Sequence, residues 1–225
     1  MRRSLALALA FFAAACSDEG LNPIVDAAVK EVNPLDNAAA PPTQGAQITR
    51  AAVNRADVAT IRARLVADKS PTYLLAAANN GGYITYASAL RQTLTLRGAQ
   101  VTGSRGLGWD LLSATSSQPD PLVRPIPPAQ WPSQVSRSYE FPADGPQGRI
   151  ETFTCTYEAG EVREITILED RHRGIEMSET CTGPTGTFEN LHLVETGSGT
   201  VWRSLQWLGP QQGLVDIEIV LPYTG

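Results

Sequence analysis

The stretch Thr152-Phe153-Thr154-Cys155-Thr156-Tyr157 alternates hydroxyl and bulky side chains one by one. On a helix these would spread around the whole circumference. On an extended strand Phe153, Cys155 and Tyr157 share one face and the three threonines take the other. The same period recurs along the chain. Ile175, Met177 and Cys181 alternate with Glu176, Ser178 and Thr180, and Val215, Ile217, Ile219 and Leu221 with Asp216 and Glu218. Leu90, Leu94 and Leu96 fall opposite Thr93, Thr95 and Arg97. Strands with one greasy and one wet face belong to antiparallel sheets. The breaks carry turn chemistry: Arg97-Gly98, Glu158-Ala159-Gly160-Glu161, Thr182-Gly183-Pro184 and Thr196-Gly197-Ser198-Gly199. The expected fold class is mainly β, an antiparallel meander forming an open barrel or sandwich, with one N-terminal helix.

For that helix, Thr49 reads as the N-cap. Ala52, Val53, Ala56, Ala59, Ile61 and Leu65 follow at near-helical spacing, which predicts a helix from about Arg50 to Ala67. Upstream, Pro23, Pro34, Pro41 and Pro42 punctuate an Ala/Asn-rich tether with at most a short helix around Ile24 to Val32. The Pro-rich run from Pro119 to Pro132 reads as a long surface connection between earlier and later strands, within one domain.

The first residues are an address. Met1-Arg2-Arg3 is a positive start, and Leu5 to Ala15 is an apolar run of eleven residues. A membrane-spanning helix takes about 20, whereas a secretory leader needs about 7–15. Ala13-Ala14-Ala15 then precede Cys16. Two readings stand: cleavage by ordinary signal peptidase after Ala15, giving a soluble periplasmic protein, or a lipobox in which the Cys16 thiol takes a diacylglycerol. Ser17 rather than Asp follows the cysteine, which favours the outer membrane over inner-membrane retention. The domain assignment is then residues 1–15 signal peptide, 16–49 lipidated N-terminus and flexible tether, and 50–225 a single β-rich periplasmic domain.

Three cysteines are an odd count for an exported chain. A lipid on Cys16 leaves Cys155 and Cys181, both on the apolar phase of their strands. In an oxidising compartment they form a disulfide or remain a pair of buried thiols. The spacing of these cysteines with His172 and His192 does not suit zinc, so no metal is expected.

The 225 residues are 42% hydrophobic and 18% charged, which fits a globular chain rather than a disordered one or a membrane bundle. Loss of the leader, with Arg2 and Arg3, takes the formal charge from −5 to −7. No basic patch is present to release phosphate counterions, so no nucleic-acid partner is expected. An acidic surface also needs an acyl anchor to stay on a membrane.

Chemistry is harder to find. A serine nucleophile needs an adjacent base, but His172 lies in the charged run Glu169-Asp170-Arg171-His172-Arg173-Gly174, and His192 on the polar phase of a strand. The acid pairs Glu161/Glu164, Glu169/Asp170 and Glu176/Glu179 read as the wet side of strands rather than as a glycosidase pair. Gly103-Ser104-Arg105-Gly106-Leu107-Gly108 is not the phosphate-binding order and marks a bend beside a neighbour. Trp109, Trp131, Trp202 and Trp207 sit in the strand-rich region, several beside Arg or Gln, where they pack in a core or stack on a sugar.

Two segments carry a resemblance. The first runs Leu94-Thr95-Leu96-Arg97-Gly98-Ala99-Gln100-Val101 into Ser104-Arg105-Gly106-Leu107-Gly108-Trp109-Asp110-Leu111-Leu112. The second is Gly199-Thr200-Val201-Trp202-Arg203-Ser204-Leu205-Gln206-Trp207-Leu208-Gly209-Pro210, closing with Val215 to Tyr223. Together with the leader and the cysteine arrangement they resemble the YjbF family of outer-membrane lipoproteins, the group 4 capsule (GfcB-type) lipoproteins. The resemblance covers about Thr72 to Tyr223. Ser104 stands where the family pattern has Thr, and Ala13 where a lipobox usually has a bulky residue.

The resemblance implies a non-enzymatic lipoprotein, without cofactor, on the periplasmic face of the outer membrane. Its role would be in producing or exporting capsular or extracellular polysaccharide, by contacting glycan or an outer-membrane export component. Arg105, Trp109, Trp202, Arg203, Gln206 and Trp207 are the candidate contacts. Two alternatives remain: a periplasmic carrier of a lipid-like apolar ligand held in a curved sheet, and a glycan-modifying enzyme.

Overall fold

The structure, a computed structural model, describes residues 48–67, 70–143 and 148–225. The leader, Cys16 and most of the tether therefore lie outside the described residues. Helix α1 spans Arg50–Ala56, capped by Thr49, whose hydroxyl accepts from the Ala52 N–H at 3.2 Å. It is shorter than its spacing predicts. Asp57 turns left-handed at φ 50° and ends it. Thr60–Leu65 is then strand β1. Ile61, Ala63 and Leu65 fit a two-residue period as well as a helical one. What decides is the partner strand, because Arg62 and Arg64 lie directly opposite Glu218 and Asp216 and bond to them at 2.6 and 2.9 Å.

The other strands are β2 (Thr72–Asn80), β3 (Tyr83–Ala87), β4 (Thr93–Arg97), β5 (Gln100–Arg105), β6 (Ser113–Ser116), β7 (Gln134–Phe141), β8 (Arg149–Ile167), β9 (Asp170–Gly183), β10 (Gly186–Val194), β11 (Val201–Trp207) and β12 (Leu214–Leu221). They form one 12-stranded antiparallel sheet in the order β5-β4-β3-β2-β1-β12-β11-β10-β9-β8-β7-β6. This is a meander closed on itself through β1 and β12, with one seam between β5 and β6. The seam is covered: residues before β6 cross it, Ser104 donating its N–H to the Leu111 carbonyl and Leu112 to that of Glu140, each at 2.9 Å. The sheet is thus a nearly closed barrel, and covering the two free edges protects them from pairing with other chains.

One expected turn and one expected strand residue differ. Glu158 to Glu161 is a bulge within β8 rather than a turn. There Gly160 passes so close to β9 that a Cβ would sit 3.1 Å from the Glu176 carbonyl. Leu90 is not on the inner face with Leu94 and Leu96, because it occupies the turn before β4 and is exposed.

One apolar cluster fills the interior, reaching from Ile61, Leu74, Leu94 and Leu96 to Phe153, Cys155 and Cys181. Cys155 and Cys181 are directly paired across β8 and β9 and joined by a disulfide. Beyond the bulge the β8–β9 hairpin lies over the outer face. There Ile167 packs with Val53 of α1, Val220 of β12 and Trp202 of β11. Arg50 fastens this tip, donating to the Ile167, Leu168 and Val220 carbonyls and pairing with Asp170 at 2.9 Å.

Candidate functional site

The turns β2–β3, β4–β5 and β10–β11, the end of β12 and the connection between β6 and β7 meet at one mouth of the barrel. The connection is a strap rather than a loose surface loop: Asp120, Pro121 and Leu122 are buried. Two glycines seat it. A Cβ on Gly98 would lie 2.4 Å from the Leu122 carbonyl oxygen, and one on Gly199 would lie 2.3 Å from that of Ile126. Both are at positive φ, where only glycine is unstrained. The Ala99 N–H donates to the Leu122 carbonyl at 2.7 Å, and the Trp131 indole to that of Ile126 at 2.7 Å.

Beneath the strap lies a buried ionic network. Arg137 sits on the inward phase of β7 with Val135, Tyr139 and Phe141, and is 1% exposed. It donates to Asp120 of the strap at 2.7 and 3.3 Å and to Glu179 of β9 at 2.6 Å. The Tyr157 hydroxyl accepts from it at 3.0 Å. The other Glu179 oxygen takes the Asn190 amide at 2.8 Å and lies 3.3 Å from His192 Nε2. Burial alone would raise the Glu179 carboxyl. The Arg137 guanidinium, His192 and Asn190 outweigh it and hold that carboxyl well below the usual carboxylate range. Burial likewise opposes the charge on Arg137, but Glu179, Tyr157 and Asp120 keep it protonated. His192, expected on a wet strand face, is fully buried here, and so is Glu179.

Two recesses flank the strap. A cleft of about 670 Å³ is lined by Gly81, Gly82, Arg97, Gln118, Asp120 and Arg124 among others. A crevice of about 440 Å³ adjoins it, with largely apolar walls that include Tyr86, Leu122, Val201, Ile219 and Tyr223. Burial, with Tyr223 nearby, pushes the Tyr86 phenol up to about 12.

The six candidate contact residues do not come together. Arg105 donates to the Leu111 and Leu112 carbonyls at the seam. Trp109, 61% exposed, stands at the opposite mouth, its N–H on Gln212 at 3.1 Å. Trp202 packs at a tilt against His172 on the outer face, with ring centres 4.0 Å apart. Arg203, also outside, holds Asp216 with two 2.8 Å bonds. Gln206 points inward, donating to the Ala99 carbonyl at 2.8 Å and accepting from the Val101 N–H at 3.0 Å. Trp207 stacks on Phe188 at 4.2 Å within an aromatic group that includes Tyr139, Phe141 and Phe153. The bend at Gly106 is built by Asp110, whose carboxylate accepts from Ser104 and from the Gly106 and Leu107 N–H groups.

The chain matches, over residues 6–220, the family model described as group 4 capsule polysaccharide lipoprotein gfcB, YjbF. It belongs to the YjbF family. Among solved structures, this YjbF-family chain is similar to the hypothetical lipoprotein YmcC from Escherichia coli K12. The TM-score is 0.68 at 18% identity, covering 79% of this chain and 91% of that one. At that identity the likeness is one of fold, and it extends the barrel to a second lipoprotein. No curated protein matches the chain. Among the described residues no helix is long and apolar enough to cross a membrane.

Proposed function

We propose that this YjbF-family chain is a non-enzymatic lipoprotein of the outer membrane, facing the periplasm. It is anchored through Cys16 and takes part in making or exporting a capsular or extracellular polysaccharide. It acts by contact, with the glycan or with an export component. The observation that carries this reading is the family match, which takes in Cys16 together with nearly the whole barrel.

The chemistry of the mouth supports a binding role over an enzymatic one. A glycosidase needs one free acid and one free base flanking the bond. Asp120, the carboxylate in the cleft lining, and Glu179 on the far side of Arg137 are both bound to that arginine and at most 1% exposed. The carrier alternative has the apolar crevice as its site, since side chains occupy the interior. The test is genetic: a strain lacking the chain secretes less polysaccharide, or polysaccharide of altered length. Unchanged amount and length would remove the reading.

A further inference from the structure

The cleft beside the strap has a charge opposite to that of the molecule. Its walls carry two cations, Arg97 and Arg124, both exposed, and neither pairs with a carboxylate among the described residues. The one acid in the lining, Asp120, has both oxygens on Arg137 and one also on the Leu122 N–H at 2.9 Å. Arg137 serves Glu179 as well, so this buried trio keeps one net negative charge against the two positive charges of Arg97 and Arg124. A chain of net charge −5 thus keeps a site of local positive potential at its mouth. Such a site concentrates anions by focusing the field.

Arg97 is already ordered. Its guanidinium lies over the Tyr83 ring, 5.0 Å from the centre, and donates to the Tyr83 hydroxyl at 3.3 Å, which leaves its other N–H groups without a bonding partner among the described residues. A planar guanidinium pairs with a carboxylate through two parallel bonds, so little further ordering is needed on binding. Around the two arginines the wall is mixed. Gly81 and Gly82 expose backbone, Gln118 offers an amide, and Pro119, Val123 and Ile126 offer apolar surface. Apolar patches beside polar groups suit a pyranose ring, which has C–H faces and hydroxyl edges. The volume falls within the roughly 300–1,000 Å³ of small-ligand sites.

We infer that the cleft between Arg97 and Arg124 binds an acidic saccharide, a uronate-bearing stretch of glycan. This rests on the polysaccharide reading above and gives it a ligand class and a site. The wall favours a sugar over a lipid headgroup, because the arginines line the open, mixed-polarity cleft while the greasy surface lies in the adjoining crevice.

The test is calorimetric titration of the full chain in neutral detergent with trigalacturonate, beside its carboxyl-reduced neutral trimer and glycerol 3-phosphate, a soluble stand-in for an anionic lipid headgroup. Trigalacturonate should bind at least about tenfold more tightly than the neutral trimer, with affinity falling as salt rises. Arg97→Gln with Arg124→Gln should weaken it at least about tenfold, while the exposed helix variant Arg55→Gln changes nothing. The inference is overturned by absence of trigalacturonate binding, by equal binding of the neutral trimer, by full affinity in the double variant, or by binding of glycerol 3-phosphate alone. Its failure is separable from that of the polysaccharide reading. No binding together with a deletion phenotype would point to a protein partner, whereas binding with a silent deletion would leave the cleft standing without that role.

Discussion

Arg137→Met removes the cation shared by two buried carboxylates. Asp120 and Glu179 are at most 1% exposed, so the loss leaves charge in a site that water does not reach. Breaking a buried pair from one side costs about 3–5 kcal/mol, mainly because the abandoned partner stays desolvated. For a domain of this size that lowers the melting temperature by about 6–20 °C. The pH dependence separates this cause from simple loss of packing. In the wild type the Glu179 carboxyl is held below its unfolded value. Its stabilising contribution is complete above about pH 4.5 and is lost as the pH falls towards the folded value. In the variant only His192 and Asn190 still oppose burial at Glu179, so its carboxyl rises and protonation relieves the fold as the pH falls. The gap between wild type and variant is therefore widest near neutrality and narrows towards about pH 4. Urea unfolding followed by tryptophan fluorescence at both pH values measures it. Adding Asp120→Asn and Glu179→Gln to the variant should recover part of the loss. A gap below about 1 kcal/mol near neutrality, or one that stays constant on acidification, would refute the reasoning.

Two further outcomes follow from the same geometry. Replacing Cys155 and Cys181 by Ala opens a cross-link between residues 26 apart and should cost about 3 kcal/mol, read as a lower urea midpoint than that of the oxidised parent. Gly199→Ala drives a methyl against the Ile126 carbonyl at a positive-φ position and should cost about 1–3 kcal/mol. The loss should be concentrated in faster amide exchange between Pro119 and Pro132, and wild-type exchange there would show that the strap is not seated on this glycine.

The barrel was legible because its strands keep a strict two-residue period, from Thr152 to Tyr157 and from Val215 to Leu221. Helix α1 was over-extended because Ile61 and Leu65 satisfy both periods. Only the opposing acids on β12, distant in sequence, settle Arg62 and Arg64 as strand residues. The buried network does leave a signal in the sequence. Arg137 falls in phase with Val135, Tyr139 and Phe141, and Glu179 in phase with Met177 and Cys181, so each is a charge on a greasy face. Neither strand alone says that the two meet, because that depends on register and on where the strap places Asp120. The same limit scattered the tryptophans: Trp202 and Trp207 stand five residues apart on one strand, but one faces the hairpin tip and the other an aromatic cluster.

The most direct test of the account is the polysaccharide released per cell, in amount and chain length, by a strain lacking this chain and by the same strain re-expressing it. The expected result is a defect that the wild-type chain corrects and that Cys16→Ser, which cannot be acylated, does not. Polysaccharide of normal amount and length in the absence of the chain would contradict it.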